Sequence, residues 1–410
     1  MRLAIFSPYF PPHVGGVEHY VEELNEVLLR TGAVEAITVL APRLPPSAAA
    51  RERHGDAYRV LRYPAFEPIP NLPVPRFWSP ALWRTVREAL APRPDLLVGH
   101  TRFFPSSALA LLCARRTRTP LLHIEHGSGF MHLGGPLATA AGRAYDLTVG
   151  RWLLRGASGV AAVSRAGAEF VRRLSGRSAR VIHRGIWPER LAGTEPDAAV
   201  IAKARGRPIV SFAGRLIHSK GVADLVQAFA ATQAPESVLC LVGDGPCQAD
   251  LERLAQRLGV ADRVLFLGYV DPGRALAVLS ASDVVANPSY TEGLPTAVLE
   301  AAGLGRAVLA TDVGGTSEIV ADGESAVLVP PRDVPALSRR LGELLADVGL
   351  RERLGAAAAA RAQREFNWDT SAALFVKLAR TLADTDRTSK PYAADQRTTG
   401  ARTTSSNTDS

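Results

Sequence analysis

The chain has 410 residues, enough for two domains. Its 47% apolar and 21% charged residues are those of an ordinary globular protein, which excludes extended disorder and collagen-like repeats, and three cysteines without a CxxC pair exclude a disulfide framework or zinc knuckle. The net charge of +8 is uneven: the first 190 residues hold 25 arginines, no lysine and 14 acidic residues, giving +11, and the remainder comes to −3.

The opening MRLAIFSPYFPP meets prolines too soon for a signal peptide and reads as a first buried strand, Leu3–Phe6. No run reaches the roughly 20 apolar residues of a membrane span, so a cytosolic protein is expected. Further strands are predicted at Ala36–Leu40, Tyr58–Arg62, Leu96–Gly99, Leu121–Ile124, Gly159–Val163 and Arg180–Ile182. Amphipathic stretches alternate with them, including Val17–Arg30, Pro105–Arg115 and Arg165–Leu174. The Pro-rich stretch 64–80 is expected to be a long surface loop. A second strand series runs through Pro208–Phe212, Val238–Val242, Val264–Leu267, Val284–Ala286, Ala307–Leu309 and Ala326–Leu328.

This alternation predicts an α/β protein with two parallel sheets. The expected domains are 1–190 and 207–366, joined by a linker at 191–206. A helical segment at 367–384 and a polar, disordered tail at 385–410 follow. Asp384-Thr385-Asp386 has the spacing of a metal-binding triplet, but its place in that tail makes chance the better account.

There is no GxxxxGK[ST] loop and no GxSxG elbow, and Gln248 interrupts the GDGPCQ run where a dinucleotide fingerprint needs glycine. Three constellations remain. Gly15-Gly16 stands between the first strand and a helix, a place where backbone amides can meet an anion, though many α/β turns look the same. Gly214, Arg215 and Lys220 follow the first strand of the second series. An arginine fork with a point charge beside it suits phosphate, and two solvated surface charges would read alike. Glu292-Gly293-Leu294-Pro295-Thr296 opens a helix that carries Glu300 five residues in. Two carboxylates so spaced beside a helix N-terminus could bracket a nucleotide sugar, and the small residues Ala301, Ala302 and Gly303 argue for a close-packed site.

The run NPSYTEGLPTAVLEAAGLGRAVLATDVGGTSEIV, with GRLIHSKG and LVGDGP upstream, resembles the retaining glycosyltransferases of family four. So do HIEHG at 123–127, AVSRAG at 162–167 and the closing FNWDTSA. The resemblance implies the GT-B fold: two Rossmann-like domains facing a cleft, with a C-terminal helix crossing back to the first domain. It implies that Arg215 and Lys220 hold the donor diphosphate, Glu292 the transferred sugar and Glu300 the ribose. Gly16, with Gly15 before it and Gly214 opposite, would approach the diphosphate, and His126 the sugar. Tyr269 and Val270 would lie by the nucleobase. Leu294-Pro295 replaces the more usual Phe-Gly, so amide contacts there must come from Leu294 or Thr296. Tyr9, Arg102 and Ser128 complete the expected set on the acceptor side, and His123 reads as a core histidine.

The resemblance thus implies retaining transfer from a UDP- or GDP-linked sugar to an acceptor hydroxyl, with no metal or other cofactor. Envelope glycolipid or polysaccharide synthesis, or glycosylation of a natural product, would be the setting. The acceptor is a lipid-linked or a small soluble molecule. The basic first domain suggests an anionic membrane surface as a further partner. An epimerase of the same fold is the competing enzyme reading. A non-enzymatic binder of anionic surfaces is the other, with nucleic acid not expected because no recognition motif accompanies the charge.

Overall fold

A computed structural model describes residues 1–13, 15–69, 72–130, 135–232 and 236–388. The first sheet contains β1 (Arg2–Phe6), β2 (Ala36–Pro42), β3 (Arg51–His54) and β4 (Tyr58–Tyr63). A separate two-stranded ribbon, β5 (Ala65–Ile69) and β6 (Leu72–Pro75), interrupts it, and β7 (Leu96–His100), β8 (Leu121–Glu125), β9 (Gly159–Ala162) and β10 (Arg180–Val181) complete it. The strand order is β10-β9-β8-β7-β1-β2-β4-β3, parallel except for the edge strand β3. The second sheet uses β11 (Ile209–Ala213), β12 (Val238–Val242), β13 (Val264–Gly268), β14 (Val284–Asn287), β15 (Ala307–Thr311) and β16 (Val327–Val329). Its order is β13-β12-β11-β14-β15-β16, all parallel.

Most of the parallel strands form where the sequence offers short runs of β-branched and other apolar residues buried on both faces, whereas the antiparallel edge strand β3 is the charged, largely exposed RERH. Val238–Val242 and Ala307–Thr311 are buried throughout. Helices cover each sheet on both sides, giving the GT-B arrangement. Residues 188–204, placed largely in a linker by the sequence, form the helices Pro188–Ala192 and Ala198–Ala204. Their Leu191, Val200 and Ala204 belong to the second domain's core.

The closing helix runs from Trp368 to Thr388, four residues beyond the expected end at 384. Residues 385–388 are therefore helical, and the rest of the proposed tail lies outside the described residues. Trp368, Ala372, Phe375 and Ala379 bury themselves in the first domain's core beside Val21, Leu24 and Leu28 of the helix Gly16–Arg30. The helix thus crosses back and ties the end of the chain to its beginning. Asp384 sits on its last turns, away from the cleft.

The stretch 64–80 is not a loop. β5 and β6 pair antiparallel, and the helix Pro80–Ala89 starts at a Ser79 cap whose hydroxyl accepts from the Ala81 amide. Prolines are tolerated in the ribbon because it joins neither main sheet and its outer groups need no ladder partner. No described helix is long and apolar enough to cross a membrane.

Candidate active site

The two domains face each other across a cleft of about 410 Å³. Loops after β1 and β8 form one wall, and loops after β11, β12, β13 and β14 the other. Ligands of open α/β sheets bind at these carboxyl ends.

On the second domain's wall, Glu292 is 9% exposed. Its Oε1 accepts from Lys220 Nζ at 2.7 Å and from Ser289 Oγ at 2.6 Å, while Oε2 has no partner among the described residues. Gly221 makes the Lys220 contact possible. At φ +63° a Cβ there would lie 2.1 Å from the Pro288 carbonyl oxygen, so only glycine lets the Lys220 turn pack on the loop carrying Glu292. Arg215 is exposed beside Gly214 on the same wall. Pro295 is the cap of the helix Thr296–Gly303, not its first residue, and makes no side-chain capping bond. The first-turn amides, beginning with Thr296, therefore have no helical acceptor and carry the positive end of the dipole. Tyr269, 54% exposed, and Val270 line the outer end.

On the first domain's wall, Gly15 caps the helix starting at Gly16, and a methyl group on Gly16 would lie 3.9 Å from Thr296 Oγ1 across the cleft. His126 directly follows β8. Its Nε2 lies 3.0 Å from Nδ1 of the buried His100, and the Tyr20 ring meets it edge-on at 4.8 Å. Burial holds both imidazoles neutral, His126 at about 4 and His100 well below its ordinary value. His100 Nε2 has no described partner. An orphaned buried lone pair is less unfavourable than an orphaned N–H. The network therefore assigns the His100 proton to Nδ1, donating to His126, which then carries its own proton on Nδ1. The domains touch here: a Cβ on Gly293 would fall 1.8 Å from the His126 carbonyl oxygen.

Glu300 lines the cleft about one turn into its helix. Burial pushes its carboxyl up to about 7, the Arg184 guanidinium draws it down, and Glu23 raises it. Hydroxyl donors favour the ionised form. Affinity for a nucleotide sugar is therefore expected to rise between pH 6 and 8 in the native protein and to lose that slope in Glu300→Gln, measured by equilibrium titration.

Three residues expected on the acceptor side have partners within the chain. Arg102 is a buried cation, 2% exposed, donating twice to Asp146 at 2.9 and 3.0 Å and pairing with Glu125 at 2.9 Å. Tyr9 is buried with its hydroxyl committed to Glu67. The Ser128 hydroxyl donates to the Glu292 main-chain carbonyl and helps hold the domains together. His123 is a fully buried core residue, 3.4 Å from Glu125.

The sequence reading missed Arg184 and His100. Arg184 donates to Thr296 Oγ1 at 2.9 Å and to Glu23 at 2.5 Å, joining the two walls beside Glu300. Its one signal was position, at the break between the two strand series. Among the described residues no group of three or more His, Cys, Asp or Glu side chains is gathered to hold a metal ion.

Residues 14–190 match the family described as Glycosyltransferase Family 4, and residues 194–361 match Glycosyl transferases group 1. An uncharacterized glycosyltransferase of Methanocaldococcus jannaschii is 30% identical over 390 residues, covering 92% of this chain and 98% of its own. The chain is a family 4 glycosyltransferase. A D-inositol 3-phosphate glycosyltransferase of Xylanimonas cellulosilytica is 34% identical over 401 residues, covering 91% and 94%. The sucrose-phosphate synthase of Thermosynechococcus elongatus superposes on this glycosyltransferase with a TM-score of 0.77 at 26% identity, covering 94% of this chain and 99% of its own.

Proposed function

We propose that this glycosyltransferase moves a sugar from a nucleoside diphosphate donor to an acceptor hydroxyl with retention of configuration. The observation that carries this reading is the grouping on one cleft wall of Lys220, its partner Glu292, Arg215, the open helix N-terminus at Thr296 and the raised carboxyl of Glu300.

Arg215, Lys220 and the first-turn amides would hold the diphosphate and stabilise charge as it leaves, the largest electrostatic task in such a transfer. Lys220 is already oriented by Glu292. The free Oε2 of Glu292 would accept from a hydroxyl of the transferred sugar, and Glu300 from the ribose. His126, held neutral, would serve as a hydrogen-bonding group rather than an acid. The departing phosphate oxygen would take the acceptor proton on the face it leaves, so no side chain is assigned as general base. Contact between the domains at Gly293 and Ser128 would exclude water and limit hydrolysis.

Incubation with UDP-, GDP- and ADP-sugars tests this. Slow release of the sugar with its original anomeric configuration, read by proton NMR and unchanged by EDTA, is expected. Inversion at the anomeric carbon, or interconversion of one nucleotide sugar into another, contradicts it; the second outcome is the epimerase reading.

A further inference from the structure

Exposed apolar side chains gather on one lip of the first domain. Ile69 in β5, Phe77 and Trp78 just after β6, and Trp83 in the next helix are 55, 36, 71 and 39% exposed. They form a built surface. The Phe66 ring lies 5.6 Å from Trp78, and the Trp83 indole N–H donates to the Phe77 carbonyl at 2.9 Å. A contiguous aromatic patch of this kind marks an interaction site, where scattered single residues would not.

Charge says what it meets. Arg76, Arg84 and Arg87 are exposed along the same segment and make no ion pair among the described residues, while the neighbouring Glu88 is taken by Arg51. The only acid between residues 64 and 87 is Glu67, and it accepts from Tyr9. Tyr9 stacks on His13 at 3.8 Å, just before the Gly15-Gly16 loop of the cleft wall. The lip therefore joins the donor cleft through a short chain of contacts.

We propose that this lip docks the enzyme on an anionic membrane surface, placing the first domain's half of the cleft beside the bilayer. Tryptophan and isoleucine suit the boundary between headgroups and acyl chains, and unpaired arginines suit lipid phosphates. With no described helix able to cross a bilayer, the association is peripheral. The consequence for the reaction, a membrane-held acceptor, rests on the transferase reading above; the docking itself does not.

The test uses the full chain and phosphatidylcholine vesicles with and without phosphatidylglycerol, by co-sedimentation at low and high salt. Binding is expected only with phosphatidylglycerol, weaker at high salt. It should fall roughly tenfold in Trp78→Ser and by at least about tenfold in Arg84→Gln combined with Arg87→Gln. In the native protein, brominated lipid in the same vesicles is expected to quench tryptophan fluorescence, a readout that needs no variant. Nucleotide binding, titrated separately, should be unchanged in every variant. Failure of the native protein to bind anionic vesicles at low salt overturns the proposal, as does binding that survives all three substitutions. A concentration-dependent dimer lost in Trp78→Ser, with no vesicle binding, also overturns it and gives the patch to a second copy of the chain. Vesicle binding without nucleotide binding would leave the docking surface standing and remove the transferase reading.

Discussion

Glu292→Gln and Lys220→Ala are each expected to lower the transfer rate by about 10²–10³-fold, the usual effect of removing one preorganised charge-stabilising group. Glu292 sits at the end of a chain of fixed contacts: Ser289 Oγ and Lys220 Nζ both donate to Oε1, and Oε2 has no partner among the described residues. Glutamine keeps the size but cannot accept from both donors with the same strength, so Lys220 loses its anchor as well. The loss in Glu292→Gln should appear mainly in kcat, because the proposed sugar contact would strengthen as the anomeric centre becomes cationic. In Lys220→Ala it should appear in both kcat and the donor KM, because the diphosphate is held before and during departure. The double variant should lose much less than the product of the two, since the residues act as one pair. Steady-state kinetics on the four proteins checks this. Single variants within about threefold of native would remove the pair from the mechanism.

Arg102→Ala is expected to destabilise the protein by about 3–5 kcal/mol at neutral pH, the range for removing one partner of a buried charge cluster. The guanidinium is held between Asp146 and Glu125, donates to the Gly129 carbonyl, and lies 4.4 Å from the Phe170 ring centre. Burial opposes ionisation of Glu125. The Arg102 charge, then His123 and the Gly127 amide, outweigh it and hold the carboxyl well below its ordinary 4.5. A carboxyl lowered in the folded state contributes stability that is full above its unfolded pKa and lost as pH falls toward the folded one. In the native protein this contribution therefore fades below about pH 4.5. In Arg102→Ala the carboxylates are buried without their cation and would sooner be protonated. The difference between native and variant should then shrink as pH drops from 7 to 4. Urea denaturation at several pH values measures it. An unchanged stability at pH 7 would mean that Arg102 is not the structural cation described.

The cleft wall that carries Arg215, Lys220, Glu292 and Glu300 was legible in the sequence because its features are local. Arg215 and Lys220 stand within seven residues of the end of β11, and Glu292 and Glu300 flank one helix start. Strand ends, glycine turns and helix starts are short-range features, and so are runs of buried β-branched residues. Thirteen of the sixteen described strands were found for the same reason, each within two residues of its ends; the charged edge strand β3 and the ribbon β5–β6 were not.

What the sequence concealed depends on distant pairing. Arg102 finds Asp146 across 44 positions and His100 finds His126 across 26, and nothing near either residue announces its partner. An arginine-rich background gave Arg102 and Arg184 the same look, although one locks a core and the other bridges the cleft. The β5–β6 ribbon was hidden by its prolines, which speak against a strand in a main sheet but not in a ribbon outside it. The hydroxyls of Tyr9 and Ser128 are committed to Glu67 and to the Glu292 backbone, partners 58 and 164 positions away that local sequence does not announce.

The proposed hold of the cleft on a nucleoside diphosphate rests on Arg215 and Lys220. Its most direct test is calorimetric titration of native protein and the Arg215→Ala, Lys220→Ala double variant with UDP, GDP and ADP. Saturable binding of at least one nucleotide by the native protein, weakened by about 100-fold or more in the double variant as expected for two charge-assisted phosphate contacts, is the predicted result. Equal affinity in both proteins, or no binding of any of the three by the native protein, would contradict it.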